Sequence, residues 1–355
     1  MRRVIVIAIL VLVLGGLIAG AIAARRLLYF GPALPKPDIA GARAALVERA
    51  RARLVPRPGR LDESETWTQR RDRTKALCRA AVEALTRDDT AACLTAADEV
   101  LVLASTAAAG CDQITTLTAR AMVARLADEL RDAVLQGHGD AAFMAAFSQR
   151  LFSLSLTSAA DVVEGERLAA EEMVWSATAD VAIRRINRAA NLLHLRAHWA
   201  PWTAFSRLTA AERRGRTPPA MEGFADRSYL AVAAVAPALD RSVGAADQWL
   251  TVQHGMATFF AIEAFRAARG RPPVALTELV PAFMPAFPED PMHAGGFLYR
   301  VVPGEAGGRG YTLYSVGFDG IDNGGKACAV GNATALHSRQ GRDTDYMIHP
   351  VPEGD

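Results

Sequence analysis

The chain lacks the short motifs by which several classes of enzyme and metal-binding protein are recognised. No pair among its four cysteines has CxxC spacing, which argues against a zinc ribbon and a thioredoxin-like redox motif. The sequence has no Gly-x-Ser-x-Gly nucleophile elbow, no Walker loop, no dinucleotide-binding fingerprint and no HExxH motif. Lysine is scarce, with three lysines among 40 basic residues, and the formal net charge is only +2. A nearly neutral chain gives no global argument for a nucleic-acid partner, and we expect none.

The composition bounds the size of the core and leaves the role of the cysteines open. With 355 residues, 51% of them hydrophobic, the chain is long for one core, so we expect two domains after the N-terminal segment. Cys78, Cys93 and Cys111 fall on neighbouring predicted helices, and outside the cytoplasm they could form disulfides. Small buried thiols in helix cores are an equal alternative.

Residues 4–24 form an apolar run without a charged residue, directly after the sequence MRR. As an α-helix this run would rise about 30 Å, which matches the hydrocarbon core of a bilayer. The peptide AIA near its end has the small-x-small form of a signal-cleavage site, but the run is long for a signal peptide and two arginines follow it. We therefore predict an uncleaved signal-anchor over residues 1–26, followed by a linker over residues 27–38.

The orientation in the membrane does not follow from local charge, because basic residues flank both ends of the apolar run. A short basic tail before such a run is typical of signal-anchors, and long domains are translocated largely regardless of charge. We expect a single-pass membrane protein that contacts the membrane through residues 4–24. The bulk of the chain would then lie outside the cytoplasm, on the periplasmic side of a bacterial inner membrane.

Hydrophobic residues spaced three and four apart predict a helical domain over residues 39–245. Within the segment 113–136 this spacing places five apolar side chains roughly along one face: Leu117, Met122, Leu126, Leu130 and Leu135. Alternation of β-branched residues is nearly absent before residue 297, which argues against strands there. The predicted helices cover residues 39–54, 66–87, 89–108, 113–136, 140–153, 158–198, 207–213 and 225–269.

Two histidines on these helices could carry chemistry. His194 and His198 are spaced i, i+4, so both could face one metal ion. No HExxH glutamate lies between them, and Arg196 introduces a cation where a ligand cluster would not favour one. We favour the interpretation that both are amphipathic residues beside the neighbouring tryptophans.

An acidic run on a predicted helix is the second candidate in the helical domain. Arginines lie close to it in the sequence, which indicates a solvated face with ion pairs rather than a pair of catalytic carboxylates. Catalytic acids would need environments that separate their pKa values, and a sequence does not show these. The run consists of Glu164, Glu166, Glu171 and Glu172.

From residue 246 onward the pattern changes from helical to mixed. An apolar helix ends at Gly270, and Pro272 and Pro273 prevent it from resuming. The strand-like runs FLYRVV and YTLYSVG are separated by the glycine-rich PGEAGGRG, which predicts a β-hairpin. The end, from FDGIDNGG to GRDTDYMI, is rich in glycine and aspartate and reads as a loop that is ordered only if something binds it. The predicted fold class is mainly α, with a small α+β domain over residues 246–355.

Several short motifs follow one another in this C-terminal segment: AIEAFRAARGRPP, LTELV, EDP with FLYR, and GYTLYSVGFDG with an aspartate cluster behind it. Their order resembles the C-terminal domain of the major pseudopilin of type II secretion systems. The resemblance implies a helix, a proline turn, a DP-containing loop, a small sheet and a calcium-binding loop. The N-terminus has no prepilin peptidase site, and residues 39–245 separate the anchor from this segment. We therefore interpret the segment as a pseudopilin-like head on a different anchored protein.

By this resemblance, the candidate calcium ligands are Asp319, Asp322, Asp343 and Asp345. A calcium ion takes about six to eight oxygen ligands, and aspartates flanked by glycines on a loop can supply them. The segment between the two aspartate pairs carries three cations, so it reads equally as a solvated polar tail. Calcium is the only cofactor that the sequence suggests.

The function predicted from the sequence is a non-catalytic structural, assembly or interaction role with protein partners. The alternative is an extracytoplasmic hydrolase or ligand-binding protein with its site in the helical domain, around the histidine pair and the acidic run. A concave site that contains these residues would favour the alternative, whereas their dispersal would favour a scaffold.

Overall fold

Helices make up most of the chain that the structure describes. The computed structural model describes residues 36–59, 65–176, 188–214, 216–219, 230–302, 309–317, 320–326 and 345–349. Within these ranges the α-helices are α1 Ile39–Arg53, α2 Trp67–Thr86, α3 Thr90–Ala108, α4 Gln113–Leu135, α5 Ala141–Ser153, α6 Ala159–Ser176, α7 Arg188–Ser206, α8 Ala210–Arg213 and α9 Leu230–Arg269. The prediction of a mainly α fold with a small sheet is confirmed. The anchor predicted over residues 4–24 lies outside the described residues.

The first five helices begin where the sequence predicts because each follows a capping residue. In every case a side-chain oxygen accepts a hydrogen bond from the backbone amide three residues later, which satisfies a donor that the helix leaves open. Thr66 also forms a capping box, since its backbone amide donates in turn to Gln69 Oε1. The caps are Asp38, Thr66, Asp89, Asp112 and Asp140.

The prediction of one long helix over residues 158–198 is wrong at its C-terminal end. The structure has α6 and α7 there, and α7 continues past Pro201 to Ser206. A proline inside a helix removes one backbone hydrogen bond, which opposes such a continuation. Burial of Trp199 and Trp202 on α7 opposes this loss, and Trp199 Nε1 donates to the carbonyl oxygen of Val163 at 2.9 Å.

Helix α9 connects two hydrophobic clusters. Its N-terminal half, through Leu239 and Val243, packs with α6 and α7. Its C-terminal half lies along α5 and shares a larger cluster with α2, α3, α4 and the sheet. The boundary predicted at residue 246 falls inside this helix, and the larger cluster contains residues from both sides of it. The division into two domains stays a prediction.

Three antiparallel strands form a sheet against α9. They are β1 Leu298–Val301, β2 Tyr311–Ser315 and β3 Tyr346–His349, with β2 in the centre. The predicted hairpin is confirmed, since Val301 lies opposite Tyr311 and Leu298 opposite Tyr314. The prediction that the C-terminal end is loop alone is wrong at residues 346–349, because β3 pairs there with β2. A 3-10 helix, Leu276–Leu279, precedes the sheet.

Among the described residues, one helix is long and apolar enough to cross a membrane by those two criteria. It is α3, and half of its most apolar stretch is buried inside the protein. A core helix of a soluble domain meets the same criteria, so α3 carries no information about the predicted anchor.

The three described cysteines are buried free thiols rather than disulfides. Cys78, Cys93 and Cys111 have no exposed surface, and burial raises the pKa of each thiol to about 12. Because the thiolate is the reactive form, these three side chains behave as small core residues.

Candidate functional site

Asp345 organises a tight turn at the end of the sheet. Its carboxylate is fully buried, and it accepts hydrogen bonds from the Asn323 amide at 3.1 Å and the Gly325 amide at 2.7 Å. Its own amide donates to the carbonyl oxygen of Lys326 at 2.8 Å. A single aspartate therefore holds three of the four residues of the 323–326 turn.

Asp322 holds the same turn from its exposed side. Its Oδ1 accepts from the Gly324 amide at 2.8 Å and from the Tyr314 hydroxyl at 3.0 Å. The Gly324 hydrogen bond, helped by that of Tyr314, keeps the pKa of the Asp322 carboxyl below its usual value. The Arg300 guanidinium lies 3.7 Å from the other carboxylate oxygen. The structure thus brings two of the four predicted calcium ligands to one turn.

The other two predicted ligands, Asp319 and Asp343, lie outside the described residues. Within the described ranges, no group of three or more His, Cys, Asp or Glu side chains is arranged to hold a metal ion. Asp322 and Asp345 each accept hydrogen bonds from backbone amides. A bound calcium ion would have to share these carboxylates with the amides or displace the hydrogen bonds. The calcium site stays a prediction.

The two predicted groups of the helical domain lie on neighbouring helices, the histidine pair on α7 and the acidic run on α6. The rings of His194 and His198 lie 4.2 Å apart, centroid to centroid, on α7. Burial, and the neighbouring His194, lower the pKa of His198. Arg196, between them in sequence, instead reaches across to α6, where it binds both carboxylate oxygens of Glu171 at 2.9 Å.

Each of the four glutamates in the acidic run has a structural partner, and Glu164 and Glu171 share Arg167. Burial by itself would raise the pKa of Glu171, but hydrogen bonds and charge from Arg196 and Arg167 hold this pKa below its usual value. The predicted paired face is present, and it links α6 to its neighbours. Glu164 binds Arg167, Glu166 accepts from the Gln113 amide, and Glu172 lies 3.2 Å from Arg43.

A cleft of about 580 Å³ lies elsewhere, where the helical domain meets the C-terminal segment. Its walls are residues 154–160 between α5 and α6, residues 206–211 between α7 and α8, part of α9, and the loop at Glu289 and Pro291. No histidine or glutamate of the two predicted groups lines it. Of the described residues that line it, one is an acid, Glu289, and five are arginines: Arg53, Arg120, Arg207, Arg213 and Arg214.

Two of these arginines are already neutralised by ion pairs. Arg213 forms a two-pronged pair with Asp247 on α9, with its Nε 3.0 Å from one carboxylate oxygen. Arg53 lies 2.6 Å from Asp161 at the start of α6. Arg214 instead donates to the backbone carbonyl oxygens of residues 290 and 291, at 3.2–3.4 Å.

Arg120 differs from the other four because it is buried without a counter-charge. It projects from α4 with 5% of its surface exposed, and its Nε has no hydrogen-bond partner among the described residues. Burial lowers the pKa of Arg120 to about 10; among the described acids Asp247 opposes this effect, and it is bound by Arg213. At neutral pH the guanidinium still carries its charge, in a place where charge is costly.

Sequence reasoning missed this cleft, although one signal was present. Arg120 lies on the buried side of α4 together with Val123 and Ala127, at the spacing of an apolar face. A lone arginine on such a face indicates either a buried ion pair or a binding role. The other walls come from connections whose positions depend on tertiary packing.

Compared with known protein families, curated proteins and solved structures, the chain shows no significant match. The resemblance of residues 246–355 to a pseudopilin head therefore stays a prediction from the sequence.

Proposed function

We propose that this protein is a membrane-anchored, extracytoplasmic structural or interaction protein without a catalytic role. In this proposal residues 4–24 hold it in the membrane, and α1–α8 form a body. The end of α9 and the small sheet form a pseudopilin-like head that binds a protein partner. The main observation in support of the proposal is a buried network of ion pairs and hydrogen bonds that connects head residues to the body.

The network is centred on Glu263 of α9. Its side chain has no exposed surface, and it is paired with Arg309 and with Arg266, the latter at 3.0 Å. The Tyr311 hydroxyl of β2 donates to the same carboxylate at 2.9 Å. Removing one partner from such a buried group is expensive, so the position of β2 relative to α9 is strongly fixed.

Head and α9 residues also complete the ends of body helices. Arg309 donates to the carbonyl oxygens of Val134 and Leu135 at 2.6 and 2.7 Å, at the last turn of α4. Gln253 donates to Leu151 and Leu154 at 2.8 and 2.7 Å, at the end of α5. The carbonyls of Val134 and Leu151 also accept from the backbone amides of Gly137 and Leu154, so the side-chain contacts add to the caps of both helices and join head and body.

The hydrolase alternative has less support from the geometry. Glu171, the most buried carboxylate of the acidic run, is engaged by two arginines that stabilise its charged form. A general acid or base needs a carboxyl that exchanges protons near neutral pH, and this pairing works against that. The cleft also lies apart from the histidine pair.

The membrane part of the proposal is tested by topology and extraction. We would express the full chain in a bacterium with a C-terminal alkaline phosphatase, which is active only outside the cytoplasm, and in parallel with β-galactosidase. We expect phosphatase activity, resistance to alkaline carbonate extraction and an intact mass that includes residues 1–26. The matched control lacks residues 4–24. Activity of the β-galactosidase fusion alone would refute the proposed orientation.

The interaction part is tested with a photo-crosslinking residue placed on exposed apolar positions. Val274 and Val301 are exposed on the head, and Trp67 is comparably exposed on the body. We expect both head positions, but not position 67, to give the same covalent product with one cellular protein. No product from either head position, or equal products from all three, would contradict a partner-binding head.

A further inference from the structure

The arginine-lined cleft carries an inference that does not depend on the proposed structural role. Five guanidiniums line it against Glu289. Asp161 and Asp247, which do not line the cleft, neutralise Arg53 and Arg213. With Glu289 counted against the remaining three arginines, two positive charges are in excess. A concave surface with low-dielectric walls concentrates such a potential, so the cleft attracts anions.

One of the unneutralised positive charges of the cleft belongs to the buried Arg120. Arg213 and Arg53 already have carboxylate partners, whereas Arg120 pairs with none of the described acids. An uncompensated buried charge costs stability, and a bound anion would supply the missing counter-charge. The planar guanidinium fork matches carboxylate and phosphate groups.

A second buried donor lies on the same cleft. Trp249 is 7% exposed, and its Nε1 has no hydrogen-bond partner among the residues described. A buried indole N–H usually finds a partner. Two residues with an unpaired donor, one on α4 and one on α9, therefore line the same cavity. The packing of one helix by itself does not account for both.

The remaining wall and the volume limit the ligand. Leu154, Leu156 and Leu250 line the cleft beside Trp249, so part of the surface is apolar. Cavities of roughly 300–1,000 Å³ are typical of sites for small organic molecules, and 580 Å³ lies within that range. We propose that the cleft binds a small organic oxyanion, whose carboxylate or phosphate pairs with Arg120 and accepts from Trp249, and whose apolar part contacts the leucines.

The test uses the full chain in detergent at constant ionic strength. Benzoate and phenyl phosphate serve as organic anions, inorganic phosphate as an anion without an apolar part, and benzamide and benzyl alcohol as neutral controls. Thermal melting and tryptophan fluorescence report binding, and titration calorimetry gives affinities. We expect at least one organic anion to raise the melting temperature more than its neutral control does. The comparison of benzoate with phenyl phosphate distinguishes the two headgroup chemistries.

The key variant is Arg120→Met, which keeps most of the side-chain volume and removes the charge. We expect roughly tenfold to hundredfold weaker anion binding, because a hydrogen bond to a charged group is lost. Without ligand, this variant should melt at the same temperature as the wild type or higher, since an unpaired buried charge is gone. The matched control is Arg125→Met on the same helix, where the side chain is partly exposed and pairs with Glu129.

If Arg120 only stabilised the fold, the result would be the opposite. Arg120→Met would then melt at a lower temperature than the wild type, and anions would stabilise both proteins equally. Two results would overturn the proposal: no stabilisation of the wild type by benzoate or phenyl phosphate, or equal stabilisation of the wild type and Arg120→Met. Equal effects of benzoate and benzamide would also overturn it, because the charge would then play no part.

Discussion

His349 shows how burial controls the charge of a single residue. Its ring lies in the aromatic layer between α9 and the sheet, with centroids 4.5 Å from Tyr311 and 5.7 Å from Phe259. It is 6% exposed, and its Nδ1 has no partner within the described part of the chain. Burial lowers the pKa of His349 to about 4, with nearby arginines adding to the effect of burial. The residue therefore acts as a neutral aromatic spacer at physiological pH.

We predict that His349 makes the protein sensitive to mild acid. In the unfolded chain the imidazole titrates near pH 6.5, so between about pH 6.5 and 4 the unfolded state binds a proton that the folded state excludes. The free energy of unfolding should fall over this window, by on the order of 3 kcal/mol in total. His349→Phe keeps the ring and should remove this part of the pH dependence. The measurement is urea unfolding at a series of pH values, with His138→Gln as the control histidine. Parallel curves for wild type and His349→Phe would contradict the prediction.

Residue properties that depend on tertiary contacts around a single side chain could not be predicted from the sequence. Free thiols and disulfides were equal alternatives for Cys78, Cys93 and Cys111, because the choice depends on distances between helices. The resemblance placed Asp322 and Asp345 in one candidate calcium loop; both contact the same turn, where they accept hydrogen bonds from backbone amides, and their role as calcium ligands stays a prediction. Arg120 was missed because its lack of a counter-charge is a property of the packed structure.

At the scale of elements, Arg309 is a connection between three parts of the fold. It pairs with Glu263 on α9, precedes β2 and donates to the last carbonyls of α4. A cation at a helix C-terminus also interacts favourably with the helix dipole. One side chain thus orients α4, α9 and β2 relative to one another.

We predict that Arg309→Met destabilises the fold by about 3–5 kcal/mol, because it leaves the Glu263 carboxylate buried with fewer partners. Glu263→Gln combined with Arg309→Met should cost less than the sum of the single changes, by about 0.5–3 kcal/mol. Urea unfolding of the four proteins measures this coupling. Arg43→Met, which breaks an exposed pair with Glu172, is the control and should change stability by about 1 kcal/mol or less. Strict additivity would mean that the two residues do not act as a unit.

A glycine sets how closely the sheet approaches α9. A Cβ built at Gly255 would overlap Cδ1 of Ile348 in β3 and contact Phe297. We predict that Gly255→Ala costs about 1–3 kcal/mol through overpacking, despite the better helix propensity of alanine. Ile348→Val removes the overlapped methyl group, so the double variant Gly255→Ala/Ile348→Val should recover part of the loss. The measurement compares urea unfolding midpoints of the wild type, both single variants and the double variant. A double variant less stable than both single variants would argue against this close approach.

Most element boundaries could be predicted because they depend on local chemistry. Five capping residues fix the starts of α1 to α5, and the predicted helix bounds agree with these within a residue. The two failures have a tertiary cause. Helix α7 passes Pro201 because buried tryptophans hold it, and β3 forms because β2 offers a partner edge to a segment with a loop composition.

At the scale of the molecule, the position of α9 matters most. The sequence predicted a change of character at residue 246, because strand-like and glycine-rich segments begin beyond it. The 40-residue helix crosses that point without interruption. Its two halves contribute to different hydrophobic clusters, and the larger cluster includes α2–α5 together with the sheet. Sequence composition detects such a change of pattern, but it does not show which segments share a core.

We predict that helical body and head unfold together as one cooperative unit. Each side of the boundary at residue 246 contributes large buried side chains to one cluster, among them Phe147 of α5 and Phe260 of α9, whose rings lie 4.8 Å apart. Separating the sheet from the body would expose that surface and leave the Glu263 network unpaired, so partial unfolding is costly. For the full chain in detergent, amides of β2 and of α4 should exchange hydrogen with similar opening free energies, close to that of global unfolding in urea. Arg309→Met should lower both values together. If β2 exchanged at a much lower free energy than α4, the boundary at residue 246 would separate two folding units, as the sequence suggested, and the rigid presentation of the head would lose its physical basis.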